Sequence, residues 1–119
     1  MIFEDDLIYI EREFSEIPWV KIFAKSGVKE LSECDERTLK RLFDATLITE
    51  KTMIEFYKPE KINIASFANY VPKVHIHVMA RFKEDSFFPE SMWSKKQRDG
   101  NLTLPEFDEF AQILKENLK

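Results

Sequence analysis

The chain has 119 residues, 44% of them hydrophobic and 34% charged, with 18 basic against 22 acidic side chains and a net charge of −4. That length and apolar content suit one globular domain over residues 1–119 with a real core. The acidic balance argues against a protein that coats nucleic acid, while a local cluster can still hold a small anion.

The lone cysteine, Cys34, excludes an internal disulfide and a cysteine-rich zinc site. The opening Met1 to Leu7 carries acids where a secretory signal needs a basic start, and no apolar run approaches the ~20 residues that span a bilayer. A soluble, cytoplasmic protein with no membrane partner is expected.

Leu7 to Glu11 is rich in β-formers and predicts a first strand. After the break at Pro18, Trp19 to Lys25 alternates and predicts a second, closed by the turn signal Ser26-Gly27. From Ser32 the period becomes helical. Ser32 with Asp35 suggests a cap, Leu39, Leu42, Phe43, Thr46, Leu47, Met53, Ile54 and Tyr57 form the apolar stripe, and Pro59 ends the helix. The charges on its other face, Glu36 to Lys51, read as a solvated surface. Ile62 to Ala65 predicts a third strand. Thr103 with Glu106 predicts a capping box for a closing helix that buries Phe107, Phe110, Ala111, Leu114 and Leu118. Between them, Lys83 to Trp93 is irregular and aromatic enough that its rings must be buried against something.

Both histidines, His75 and His77, fall in the remaining strand. Val74, Ile76, Val78, Ala80 and Phe82 alternate with Lys73, His75, His77 and Arg81, so the first set should enter a core and the second should line one surface. Pro72, which lacks a ladder donor, belongs at the start of this strand, at an edge or at a bulge. Residues two apart on one strand face lie ~7 Å apart, close enough to converge on one anion. Three readings are open. The imidazoles are satisfied structural residues; or they bind zinc, which needs further ligands from Cys34, Glu84 or Asp85; or one attacks phosphorus. Neutral imidazole is available as a nucleophile near neutrality, and its phosphorylated form is labile enough to be an intermediate. Attack also needs donors and positive charge at the phosphate oxygens, for which Lys73, His77, Arg81 and Asn69 are the candidates.

The stretch from Asn63 to Arg81, with its core Asn69-Tyr70-Val71-Pro72-Lys73-Val74-His75-Ile76-His77-Val78-Met79-Ala80-Arg81, resembles the signature region of the histidine triad (HIT) superfamily, especially short bacterial members similar to diadenosine tetraphosphate hydrolases. Ile17 to Phe23, Val28 to Ser32 and Phe88 to Trp93 extend the resemblance over about Leu7 to Trp93. It implies an α+β fold, with an antiparallel sheet of about five strands, one long central helix and a C-terminal helix, usually built into a homodimer.

The resemblance also implies roles. His75 takes the middle motif position, that of the nucleophile, and His77 the third; Lys73 stands at the first, where full members have histidine, and Trp19 where many have a further one upstream. Asn69 corresponds to an amide that contacts the reacting phosphate or the leaving group. Glu11 corresponds to a residue that receives ribose hydroxyls, and otherwise reads as an ordinary exposed strand glutamate. Arg81 either binds phosphate or makes a structural ion pair, and Trp93 packs, with a dimer contact as one place for it. The implied reaction is nucleotidyl transfer from a nucleotide conjugate to histidine and then to water, without a metal or other cofactor. The alternative is a module that binds nucleotides or protein without turnover.

Overall fold

The computed structural model describes residues 1–119. Its strands are β1 (Phe3–Glu4), β2 (Ile8–Arg12), β3 (Trp19–Ala24), β4 (Lys61–Ala65) and β5 (His75–Arg81), and its helices α1 (Glu36–Tyr57) and α2 (Phe107–Leu118). The strands form one antiparallel sheet in the order β1-β2-β3-β5-β4, so the histidine strand is flanked on both sides. This is the expected α+β arrangement, a five-stranded sheet with a long helix and a C-terminal one. No helix is long and apolar enough to cross a membrane.

Strand alternation divides the sheet into two faces. Ile8, Ile10, Val20, Ile22, Ile76, Val78 and Ala80 join Leu42, Ala45 and Met53 of α1 and Phe110 and Leu114 of α2 in the core. The other face carries Tyr9, Glu11, Trp19, Lys21, Phe23, His75 and His77. The alternation puts the expected residues of β5 into the core, but its other set is no open surface: all seven residues of β5 are buried. The segment after β5 folds back across them.

Asp85 holds that segment in place. Its carboxylate receives Nε and Nη2 of Arg81 at 2.9 and 3.0 Å and the backbone N–H groups of Phe82, Phe87 and Phe88. Burial opposes its ionisation, but the bonds from Arg81 and from these amides outweigh it and hold the carboxyl below its ordinary value. The Arg81 side chain is 2% exposed and also donates from Nη1 to Asn63. Farther along, the Glu16 carboxylate accepts from Ser86 N–H and Oγ–H, and Arg98 Nη1 donates to the carbonyls of Asp85 and Phe88.

Both helix starts differ from expectation. Asp35, and not Ser32, caps α1, accepting from Thr38 N–H at 2.8 Å, while Leu31–Glu33 forms a short 3₁₀ turn. The Thr103 box does not form, and α2 begins after Glu106. Leu104 precedes Pro105 and is therefore biased away from helical backbone, which rules out a helix starting there. The buried face of α1 includes Leu42, Thr46, Met53 and Tyr57 of the expected stripe but departs from it at Thr49 and Thr52 and at Phe43, Leu47 and Ile54. Thr46, Thr49 and Thr52 are buried, each donating its hydroxyl to the carbonyl four residues back, while Phe43, Leu47 and Ile54 are about half exposed.

Breaking a buried ion pair from one side leaves an uncompensated charge, at a cost of ~3–5 kcal/mol. Asp85→Asn should therefore lower the unfolding free energy from denaturant melts by that amount, while Lys95→Ala, on the exposed part of the same segment, should stay within about 0.5 kcal/mol of wild type. Equal, small effects would show that the pair does not hold the segment.

Candidate active site

The register of β3 against β5 sets Lys21 opposite His77 and Phe23 opposite His75. Phe23 stacks on the His75 ring with centroids 4.6 Å apart, and Tyr9 stacks on the far side of Phe23 at 4.8 Å. The two imidazoles lie edge to face at 4.9 Å. Both line a cleft of about 380 Å³ with Asn69, Phe67 and Tyr70 from the β4–β5 connection, Trp93 from the segment after β5, and Lys21 and Glu13. That volume lies within the range of small-molecule sites. Ala68, at φ 55°, sits in left-handed backbone next to Asn69 and turns this connection.

The hydrogen bonds of the two rings assign their protons. The Nδ1 of His75 lies 2.7 Å from the Lys73 carbonyl oxygen, which can only accept, so Nδ1 carries hydrogen. Neutral His75 then has its lone pair on Nε2. For His77 the logic is reversed: the indole Nε1–H of Trp19 donates to its Nδ1 at 3.0 Å, so the hydrogen of the neutral ring is on Nε2. No buried side-chain nitrogen or oxygen lacks a partner, so the two unpartnered Nε2 atoms reach the solvent of the cleft. One bare nitrogen and one N–H donor stand side by side.

Burial, foremost, and then the proximity of His75 and Lys21 push the His77 pKa down to about 4, with Glu13 pulling the other way. The Trp19 bond acts in the same direction, since it needs an unprotonated Nδ1. At neutral pH His77 is thus an uncharged donor.

Of the other sequence-predicted residues, only Asn69 joins the histidines in the cleft. Arg81 is withdrawn as a phosphate ligand, because Asp85 and Asn63 occupy its guanidinium away from the cleft. The Lys73 side chain is exposed and outside the cleft lining; its carbonyl is what the site uses. A backbone carbonyl is supplied by any residue, so lysine in place of histidine leaves the His75 anchor intact. Glu11 faces a different depression, but it pairs with Lys21 across β2 and β3 and so lies on the same sheet face. Trp93 packs, as expected, but in the cleft wall, against Phe67, Trp19 and His77.

Lys21 and Glu13 are the charged cleft residues that sequence reasoning did not mark. The signal for Lys21 was present, since it alternates with Trp19 and Phe23; Glu13 lies just beyond β2, where alternation gives none. No three His, Cys, Asp or Glu side chains come together, so the further ligands that a zinc site requires are not supplied.

The family model described as the HIT domain matches residues 1–84. The chain belongs to the HIT family. Among solved structures, a histidine triad protein from Sinorhizobium meliloti is 25% identical with a TM-score of 0.77, over 98% of this chain and 87% of that one. One from Marinobacter aquaeolei is also 25% identical, with a TM-score of 0.73 over 99% and 84% of the two chains. A third, from Bradyrhizobium japonicum, shares the fold at 23% identity and a TM-score of 0.76 over 98% and 85%. A search of curated proteins finds no match.

In this HIT chain the indole of Trp19 sets the His77 proton, which gives a direct test. Trp19→Phe keeps an aromatic ring but removes the donor, so an NMR titration should show His77 moving from about 4 toward the ordinary value of 6.5. Titration unchanged near 4 would mean that burial and the neighbouring His75 and Lys21 set it without the indole. Because the folded pKa lies below the unfolded one, His77 contributes stability that is complete above pH 6.5 and is lost as pH falls from there toward 4.

Proposed function

We propose that this HIT protein is a nucleotide hydrolase or nucleotidyltransferase that cleaves nucleotide conjugates at the α-phosphate through a nucleotidyl-His75 intermediate. The observation that carries this reading is the complementary proton assignment of the two imidazoles. The Nε2 lone pair of His75 attacks the α-phosphorus, forming a P–N bond as the bond to the leaving group breaks and its electron pair departs with that group. His77 Nε2–H and the Asn69 amide donate to the phosphoryl oxygens, where charge accumulates. Water then attacks the same phosphorus, loses its proton to solvent, and returns the P–N electron pair to Nε2 with release of a nucleoside monophosphate. Glu11, on the same sheet face, accepts the ribose hydroxyls. Dinucleoside polyphosphates and nucleoside phosphoramidates are the candidate substrates, and no metal takes part.

The test is release of nucleoside monophosphate from a panel of adenylyl and guanylyl conjugates, with and without chelator. Release should resist chelation and fall by at least ~10³-fold in His75→Ala, as expected for loss of a covalent nucleophile. Full activity in the mutant would refute the reading. Nucleotide binding with no release from any conjugate would favour a binding module instead.

We also propose that the protein is a homodimer. Phe43, Leu47 and Ile54 form an exposed apolar stripe along α1, and Ile64 is exposed on the same side of β4, an uncovered sheet edge. Apolar surface of this kind is best buried against a partner. Leu47→Glu should shift the species seen by light scattering from dimer to monomer with the fold intact; a wild-type monomer would contradict this.

A further inference from the structure

A substrate of the proposed reaction brings several negative charges into a cleft whose two imidazoles offer a lone pair and a neutral N–H. Some residue must meet the charge that leaves. Arg81 is tied to Asp85, and the Lys73 side chain is outside the cleft. Lys21 is the single lysine or arginine in the lining. It stands directly across from His77, and its side chain is only 22% exposed. The Glu13 carboxylate lies 3.1 Å from Nζ. An ammonium has three donors, so Nζ can keep this bond and still present two N–H groups to a second anion.

We propose that Lys21, held by Glu13, receives the leaving group and selects substrates whose leaving group departs as a phosphate anion. This rests on the nucleotidyl-transfer reading above. In a dinucleoside polyphosphate the α-phosphorus–oxygen bond breaks, its electron pair leaves on the bridging oxygen, and the polyphosphate departs as an anion that needs a cation and no proton. A phosphoramidate makes the opposite demand, because its amine must take up a proton as it leaves. Neutral His77 is poorly suited to supply one, since losing its remaining hydrogen would leave an imidazolate. The groups that face it, Lys21, Glu13 and His75, do not place a second hydrogen on its ring, whose Nδ1 is taken by Trp19. The site therefore favours polyphosphate conjugates over phosphoramidates.

The experiment compares Lys21→Met with wild type on two conjugates that share one adenylyl group, diadenosine tetraphosphate and adenosine 5′-phosphoramidate. Wild type should prefer the first. The substitution should lower kcat/KM for it by ~10²-fold or more, the scale of losing one charged donor to a developing anion, and lower the second by at least ~tenfold less. Lys21→Arg should recover most of the loss, and circular dichroism with a thermal melt establishes that each variant is folded. Equal losses on both substrates, or no loss on either, would overturn the proposal. Calorimetric binding of ATP and AMP gives an answer independent of turnover: Lys21→Met should weaken ATP by roughly tenfold, one unit of RT ln 10, and leave AMP unchanged. If wild type cleaves neither conjugate, the nucleotidyl-transfer reading fails by itself. The binding comparison then decides Lys21, and equal changes for ATP and AMP, or none, would overturn its assignment.

Discussion

The segment that follows the histidine strand and folds back over its face is anchored first by the carboxylate of Asp85. A strand buried on both sides needs a second layer, and in this chain that layer is an irregular segment with no helix or sheet ladder to hold it. Asp85 replaces them by gathering three backbone N–H groups and the Arg81 guanidinium onto one group. Such a pair adds little net stability over an apolar alternative, because both charges must be desolvated. What it supplies is geometry. It fixes the start of the segment, and Trp93 comes to rest on Trp19 and His77.

The two histidines occupy equivalent places on one strand, yet neighbours outside the strand give them opposite character. A carbonyl can only accept and an indole N–H can only donate, so Lys73 and Trp19 together leave one imidazole with a lone pair and the other with a hydrogen. Neither effect requires a histidine in the neighbouring position. The two departures from the HIT motif therefore leave a pair that is already oriented and assigned, one through backbone and the other through a different aromatic donor. The same burial that keeps His77 neutral removes positive charge from the cleft and leaves Lys21 to supply it.

Much of this was legible in the sequence where a period was clean. The alternation from Val74 to Phe82 correctly puts Val74, Ile76, Val78, Ala80 and Phe82 into the core and both histidines on the other face, and that of Trp19, Lys21 and Phe23 contains the position of Lys21, although charge alone did not mark it. The failures come from specific side-chain contacts that periodicity does not encode. Arg81 has the right spacing for a phosphate ligand, but Asp85, four residues on, claims its guanidinium. The stripe on α1 favours Phe43, Leu47 and Ile54 by hydropathy, whereas Thr49 and Thr52, which lie outside it and satisfy their own hydroxyls, take buried positions. At α2 a box pattern is overridden by one proline. Glu13 had no local signal, since its place beside Lys21 exists only once β2 and β3 are paired.

The central claim is that His75 forms a bond to phosphorus through Nε2. The most direct test is to mix the protein with a cleavable nucleotide conjugate, quench within a turnover under denaturing alkaline conditions that preserve a phosphorylated imidazole, and weigh the intact chain and its peptides. The expected result is a mass increase of one nucleoside monophosphoryl group, located on His75, which appears with the leaving group and decays as monophosphate is released. Turnover with an unmodified chain, or with the adduct on another residue, would contradict it.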